Sequence, residues 1–359
     1  MRLEHLKNVR RLVVKLGTGI LTDGQKRPDQ VQLAQLAAQV AGLRSAGKEV
    51  VMVTSGAVGA GMGVLGFDRR PKHLADLQAC AAVGQSRLMA MYEGLFRHYE
   101  LGVAQVLLTH EDLSDQTRHL NARNTLLTLL KRGVVPIINE NDAVSVTELK
   151  FGDNDRLSAL VAGLLPADLL VILTTAEGLI EEYGTSQARR ISVVSEIDDS
   201  VEAMAGGTSS VTAVGGMRTK IDAARIVMRS GIPMVIAPGR RFDALARILA
   251  GEDEGTLFIS AGTGRLPGRK RWIAFFQRSA GTLVVDDGAR RAICENGRSL
   301  LAPGVVSVEG EFEVGSLVEI RDSEGREFAR GLVRMASASL RKPLGRGEVA
   351  VHRDDLVIL

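Results

Sequence analysis

Short apolar, β-branched runs recur along the chain as RLVVKL (11–16), EVVMVT (49–54), VAQVLLT (103–109), VVPII (134–138), DLLVILT (168–174) and IPMVIA (232–237). Longer segments with helical spacing lie between them, at 29–43, around 74–99, and at 117–133, 155–165 and 217–231. Continuous apolar strands alternating with helices predict an α/β fold, a parallel-rich sheet sandwiched by helices. In such a sheet ligands bind at the carboxyl ends of the strands.

The pattern changes after about residue 260. AGTGRLPGRKRW (261–272) is rich in glycine and cations and reads as a linker or boundary. Beyond it, GTLVVDDGA, GVVSVEG, GSLVEIRDSEGREFARGLV and EVAVHRDDL predict a small C-terminal β-rich domain of five or six strands. The expected domains are therefore residues 1–262 and 270–359. Residues 181–190 and 206–212 read as surface loops.

Composition narrows the function classes. The 359 residues are 45% hydrophobic and 24% charged, so a well-packed globular chain is expected. Aromatics at 4% argue against a grip on single-stranded nucleic acid by stacking. Charges balance through Gly264, so the net +3 lies C-terminal to it, carried mostly by arginine. Cys80 and Cys294 stand far apart without metal or redox spacing, which fits a reducing cytoplasm. The N-terminal MRLEHLKNVRRLVVKLG has charges breaking each apolar group and no signal-peptide core. The most membrane-like window, 157–176, is divided by Pro166 and Asp168 and reads as helix, turn and buried strand, so no membrane span is expected.

The strand ends carry the chemistry. The first runs into Lys15-Leu16-Gly17-Thr18-Gly19, where glycines allow close backbone approach and the lysine offers a cation. The second ends in Thr54-Ser55-Gly56. GMGVLG (61–66) matches G-x-G-x-x-G but begins too far past the strand for a dinucleotide fingerprint. Ser55 is no nucleophile elbow, because Val53 replaces the required glycine and no histidine stands in a base position. Val214-Gly215-Gly216-Met217-Arg218-Thr219-Lys220 places glycines and a lysine at a helix start, a setting that attracts anions without matching a Walker A loop.

The densest feature is NENDAVSVTELKFGDND (139–155), with five carboxylates and three asparagines. Asp153 or Asn154 could cap the following helix, but that leaves most of the stretch unexplained. Carboxylates beside amides suit an ammonium group, a magnesium ion through water, or both. With lysines and glycine loops at the other strand ends, they outline a site for a triphosphate beside a small acceptor with a cationic head.

VVKLGTG (13–19), VTSGAVGAG (53–61), LNARNTL (120–126), INENDAV (138–144), FGDNDRLSA (151–159) and GGMRTK (215–220), in that order, resemble the amino acid kinase family. Within it they resemble the members that phosphorylate the side-chain carboxylate of L-glutamate, and residues 270–359 look like a PUA domain. The resemblance implies transfer of the γ-phosphoryl of ATP, with Mg²⁺, to glutamate, the first step towards proline. Lys15 and Lys220 would flank the transferring group and Asp155 would hold them. Ser55, Asp142, Asn154 and Asn139 would bind glutamate, with Asp142 meeting its ammonium. ATP would lie over Lys15, Thr174, Thr175 and residues 214–220. It also implies a homo-oligomer, proline as a feedback inhibitor and an RNA contact through the PUA-like domain. Thr174-Thr175-Ala176-Glu177 departs from the family's usual Thr-Asp after the fifth strand. Two alternatives stay open: an amino acid kinase of different substrate, and an RNA-binding or regulatory protein on a kinase scaffold.

Overall fold

Apolar runs, most of them buried on both faces, supply the strands of the larger sheet. In chain order they are β1 (Arg11–Leu16), β2 (Glu49–Val53), β3 (Val103–Leu108), β4 (Val135–Glu140) and β5 (Leu169–Thr174). After a two-stranded hairpin of β6 (Ile180–Glu181) and β7 (Arg189–Arg190) come β8 (Val193–Val194), β9 (Met234–Pro238) and β10 (Thr256–Phe258). The computed structural model describes residues 2–23, 28–144, 153–206, 216–260, 268–276, 279–342 and 347–359. The chain forms two compact units, Met1–Asp112 with Thr117–Arg265, and Leu113–Gln116 with Leu266–Leu359.

In the first unit eight strands follow the order β3-β4-β2-β1-β5-β9-β10-β8. β1 lies parallel between β2 and β5, with Lys15 aligned to Val53 on one side and Ile172 on the other. The chain fills positions on the β2 side through β4 and then crosses to β5. Such a reversal opens a crevice at the carboxyl ends of the strands.

Side-chain alternation assigns the two faces. Leu12, Val14 and Leu16 of β1 join Met52, Ile137, Val171 and Val235 in one core with the helices Gln30–Ser45 and Leu74–Arg97. The intervening positions, including Val13 and Lys15, face the opposite layer, where the helices Asp153–Leu164 and Met217–Arg229 pack. A residue of β1 thus meets one helix layer or the other according to parity alone.

Several short elements escape the sequence pattern. β8 and β10 are two and three residues long, too short to show a period, and β10 runs antiparallel to β9. The 181–190 segment, expected as loop, contributes to the hairpin β6–β7. The glycine-rich residues 57–65 form a helix. Its crossing explains the glycines: a Cβ on Gly61 would stand 1.8 Å from the carbonyl oxygen of Cys80, and one on Gly84 1.8 Å from that of Ala57. Only glycine lets these two helices approach so closely. The end of the expected linker is also ordered, as the helix Gly268–Phe275.

The second unit holds β11 (Gly281–Val285), β12 (Leu300–Leu301), β13 (Val305–Glu309), β14 (Leu317–Arg321), β15 (Glu327–Val333) and β16 (Val349–Ile358). They form one sheet in the order β12-β16-β15-β14-β11-β13, antiparallel except for β11 against β14. Leu283, Val285, Val318, Ile320 and Val351 form its core. Among the described residues, no helix is long and apolar enough to cross a membrane.

Candidate active site

The carboxyl ends of β1, β2, β4 and β5 meet the first turns of two helices, and two contrasting clusters arise there. The first is charged. Asp155, in the opening turn of the helix Asp153–Leu164, is fully buried. Its Oδ1 lies 2.7 Å from Lys15 Nζ and its Oδ2 3.1 Å from Lys220 Nζ. The Thr219 hydroxyl donates to the same Oδ2 at 2.7 Å. Lys15 reaches it from the face of β1 opposite to that of Val14, and Lys220 reaches it from the start of the helix Met217–Arg229.

Electrostatics explain the arrangement. A carboxylate in a helix's first turn is favoured by the helix dipole, whereas a cation such as Lys220 at that end is not. Asp155 therefore serves as the counter-charge for both lysines. Burial pushes its carboxyl up, but the two ammonium groups and Thr219 outweigh this and hold it below its usual range. Burial lowers the Lys220 ammonium; Asp155 opposes that and Lys15 adds to it, leaving Lys220 below the ordinary lysine value. Two cations on one carboxylate leave positive charge to spare for an anionic group.

The second cluster is neutral. Asn154 is not a helix cap, because the helix already begins at Asp153, whose side chain is outside the described residues. Instead the Asn154 Nδ2 donates to the Thr54 carbonyl oxygen at 2.9 Å, to Ser55 Oγ at 3.0 Å and to Asn139 Oδ1 at 3.1 Å. The Thr54 carbonyl can only accept, so it fixes which end of the amide is nitrogen. Asn154 Oδ1 is then left buried without a hydrogen-bond partner among the described residues. A buried acceptor without a donor is costly and marks a place for one. Gly56, with φ of +97°, turns the chain at this point from β2 into the following helix.

Asp142 lies half-buried in the turn after β4, and its charge acts on the Arg70 guanidinium, partly offsetting the lowering that burial imposes there. Thr174 ends β5, its carbonyl accepting from the Gly239 N–H at 2.8 Å, while Thr175 is exposed. A Cβ on Gly19 would stand 3.0 Å from Thr175 Cγ2, so the start of the short helix Thr18–Leu21, which Gly17 caps, lies against the end of β5. Gly216 caps the helix that carries Lys220, Met217 is half-buried and Arg218 exposed. Val214 and Gly215 lie outside the described residues. The structure thus joins Lys15, Asp155, Thr219 and Lys220 in one cluster and Ser55, Asn139 and Asn154 in another.

The family model for amino acid kinases matches residues 10–238, and that for the PUA domain matches residues 281–354. The chain belongs to the amino acid kinase family. This amino acid kinase is similar along its length to the glutamate 5-kinase of Moorella thermoacetica, 46% identical over 99% of this chain and 97% of that one. It is likewise 49% identical to the glutamate 5-kinase of Azoarcus sp. over 99% of each. The solved carbamate kinase of Giardia lamblia bound to AMP-PNP covers 71% of this chain and 99% of its own at 17% identity, with a TM-score of 0.50, a likeness of fold.

Several residues around the site of this amino acid kinase escape sequence reasoning. Thr219 is expected at the nucleotide, yet its hydroxyl serves Asp155. Gln85 accepts from Asn139 Nδ2 at 2.9 Å, and Tyr92 lies 2.8 Å hydroxyl to hydroxyl from Thr54. Both belong to the buried stripe Cys80, Ala81, Gly84, Gln85, Leu88, Tyr92 and Phe96 of one helix. A glutamine in an otherwise apolar stripe is the signal that could have found the first.

Proposed function

We propose that this chain is a glutamate 5-kinase, moving the γ-phosphoryl group of ATP to the side-chain carboxylate of L-glutamate. The observation that carries this reading is the buried pairing of Lys15 and Lys220 on Asp155 beside an amide cluster with an open acceptor. The full-length likeness to glutamate 5-kinases supports it.

The chemistry needs little more. A glutamate side chain, with an ordinary pKa near ~4.3, is already ionised at neutral pH and needs no general base. One of its oxygens bonds to the γ-phosphorus as the bond to the β,γ-bridging oxygen breaks, releasing ADP. The requirement is alignment and neutralisation of the phosphoryl charge. Lys15 and Lys220 would flank that group, held apart and in place by Asp155. Asn154 Oδ1 and Asp142 would receive the substrate ammonium, with Ser55 and Asn139 shaping the same pocket. The helix start at Gly17–Gly19, Thr174, Thr175 and the helix start at Gly216 would line the nucleotide.

Magnesium bound with ATP would supply positive charge that offsets the phosphates. Both oxygens of Asp155 are already engaged, and no group of three or more His, Cys, Asp or Glu is gathered among the described residues. The ion would then take few ligands from the protein itself. Proline, which shares the ammonium and carboxylate of glutamate, would compete at the amide cluster. A homo-oligomer in the cytoplasm and an RNA contact through the second unit belong to the same reading.

The test is a trap. Purified protein with ATP, Mg²⁺, glutamate and hydroxylamine is expected to yield a glutamate-dependent hydroxamate, diminished by proline. Absence of any glutamate-dependent product at saturating substrate would overturn the assignment.

A further inference from the structure

We propose that Gln85, although outside the substrate pocket, is a positioning residue that sets the affinity for glutamate through Asn139 and Asn154. The proposal rests on the glutamate 5-kinase reading and extends it to a residue on a helix of the opposite layer.

Groups that can only donate or only accept fix the orientation of each amide. Asn139 is 1% exposed at the end of β4. Its Oδ1 accepts from the Glu140 backbone N–H at 3.0 Å, an obligate donor, so its amide nitrogen must point the other way. There it meets Gln85 Oε1 at 2.9 Å. Gln85, itself 7% exposed, must then present its nitrogen to Gln105, and does so at 3.0 Å. The chain of amides therefore has one direction from Gln105 on β3 to Asn154, with no ambiguity of flip at Gln85, Asn139 or Asn154.

The consequence concerns Asn154. Its nitrogen is held by Thr54, Ser55 and Asn139, and with that nitrogen held its Oδ1 is left as a buried acceptor without a partner among the described residues. Removing the Gln85 acceptor strands a buried Asn139 N–H. Asn139 can regain a partner only by turning, and turning it withdraws the Oδ1 that holds Asn154. The glutamate ammonium then meets a loosened acceptor, while the contacts that hold Asp155 to Lys15, Lys220 and Thr219 involve none of the amides of the relay. Gln85 should thus affect glutamate binding and spare both ATP binding and the transfer step.

The experiment compares Gln85→Met, apolar and of similar length, with Gln85→Glu, which keeps an acceptor for Asn139 while the exposed Gln105 turns its own amide to donate. Steady-state kinetics of the full chain should show KM for glutamate raised about ten-fold in Gln85→Met, as expected for one stranded buried donor. The kcat and the KM for ATP should change less than about two-fold, and Gln85→Glu should restore most of the glutamate affinity. In an Asn139→Ala background the same Gln85→Met change should add nothing further, since the relay is already cut. Should Gln85→Met fail to fold, Gln85→Asn, too short to reach Asn139, is expected to show the same KM effect. An unchanged KM, a parallel change in KM for ATP, or an undiminished effect in the Asn139→Ala background would each overturn the inference. A wild-type chain without glutamate-dependent hydroxamate would instead overturn the activity assignment, and this inference with it.

Discussion

Asn154 and Asp155 are neighbours in the first turn of one helix, yet they organise environments of opposite character. Asp155 gathers two ammonium groups and a hydroxyl in a charged, buried cluster. Asn154 gathers a carbonyl, a hydroxyl and an amide in a neutral one. Under the proposed function the difference follows from what each side would hold. A transferring phosphoryl group carries charge that only full cations neutralise at close range, and two buried cations demand a buried anion. An amino-acid substrate brings its own charges, so that side needs oriented dipoles and acceptors whose own desolvation is smaller. Adjacent positions on a helix point about 100° apart, which is how one turn serves both.

Substitutions that confuse the two sides should separate them experimentally. The largest effect is expected from Asp155→Asn, which makes the charged cluster imitate the neutral one. It leaves two buried ammonium groups uncompensated and should lower kcat by roughly 10³-fold and stability by about 3–5 kcal/mol. Hydroxamate kinetics and thermal unfolding on the same preparation would check this, and near-normal kcat would refute the role given to Asp155.

A smaller effect is expected from Asn154→Ala. Loss of the open acceptor should raise KM for glutamate by about ten- to a hundred-fold, with a lesser effect on kcat and almost none on KM for ATP. Equal losses for both substrates would mean that the two clusters are not independent.

The smallest is a pH effect confined to the charged side. Lys220 lies below its ordinary value of 10.5, so the folded chain releases this proton before the unfolded chain does. Between the two values the unfolded state binds more protons, and this group's contribution to stability rises with pH. Under the proposed function activity should move the other way, because the discharged lysine would no longer neutralise phosphate. The alkaline limb of kcat should therefore have its midpoint below 10.5, and a midpoint at or above that value would contradict it. Asp155 gives the acid counterpart: its carboxyl is depressed from 3.8, so its stabilisation is complete above that pH and is lost as the pH falls through the lower folded value.

The strand runs, their parallel arrangement and the strand ends as the place where polar groups gather were legible in the sequence, since continuous apolar runs between helical segments admit few other packings. So were Lys15, Asn154, Asp155 and Lys220 as residues of interest, because each stands at a strand end or helix start. The glycines were not. Gly61 and Gly84 fall in separate helices, and what each avoids is a backbone oxygen of the other helix. Nor was Gln85, whose partner is 54 positions away on β4.

What the sequence determined by itself was local: periodicity, charge, the residue types at each strand end and the order of the motifs. What only the tertiary structure decided was pairing. Asp155 could have been a metal ligand or a solvated carboxylate until Lys15 and Lys220 arrived on its two oxygens, and Asn154 could have been a cap until Thr54 claimed its nitrogen. Burial makes those pairings obligatory, because a charge or amide removed from water must find its partner inside the fold. Which partner it finds depends on distances that close only when strands far apart in sequence lie side by side.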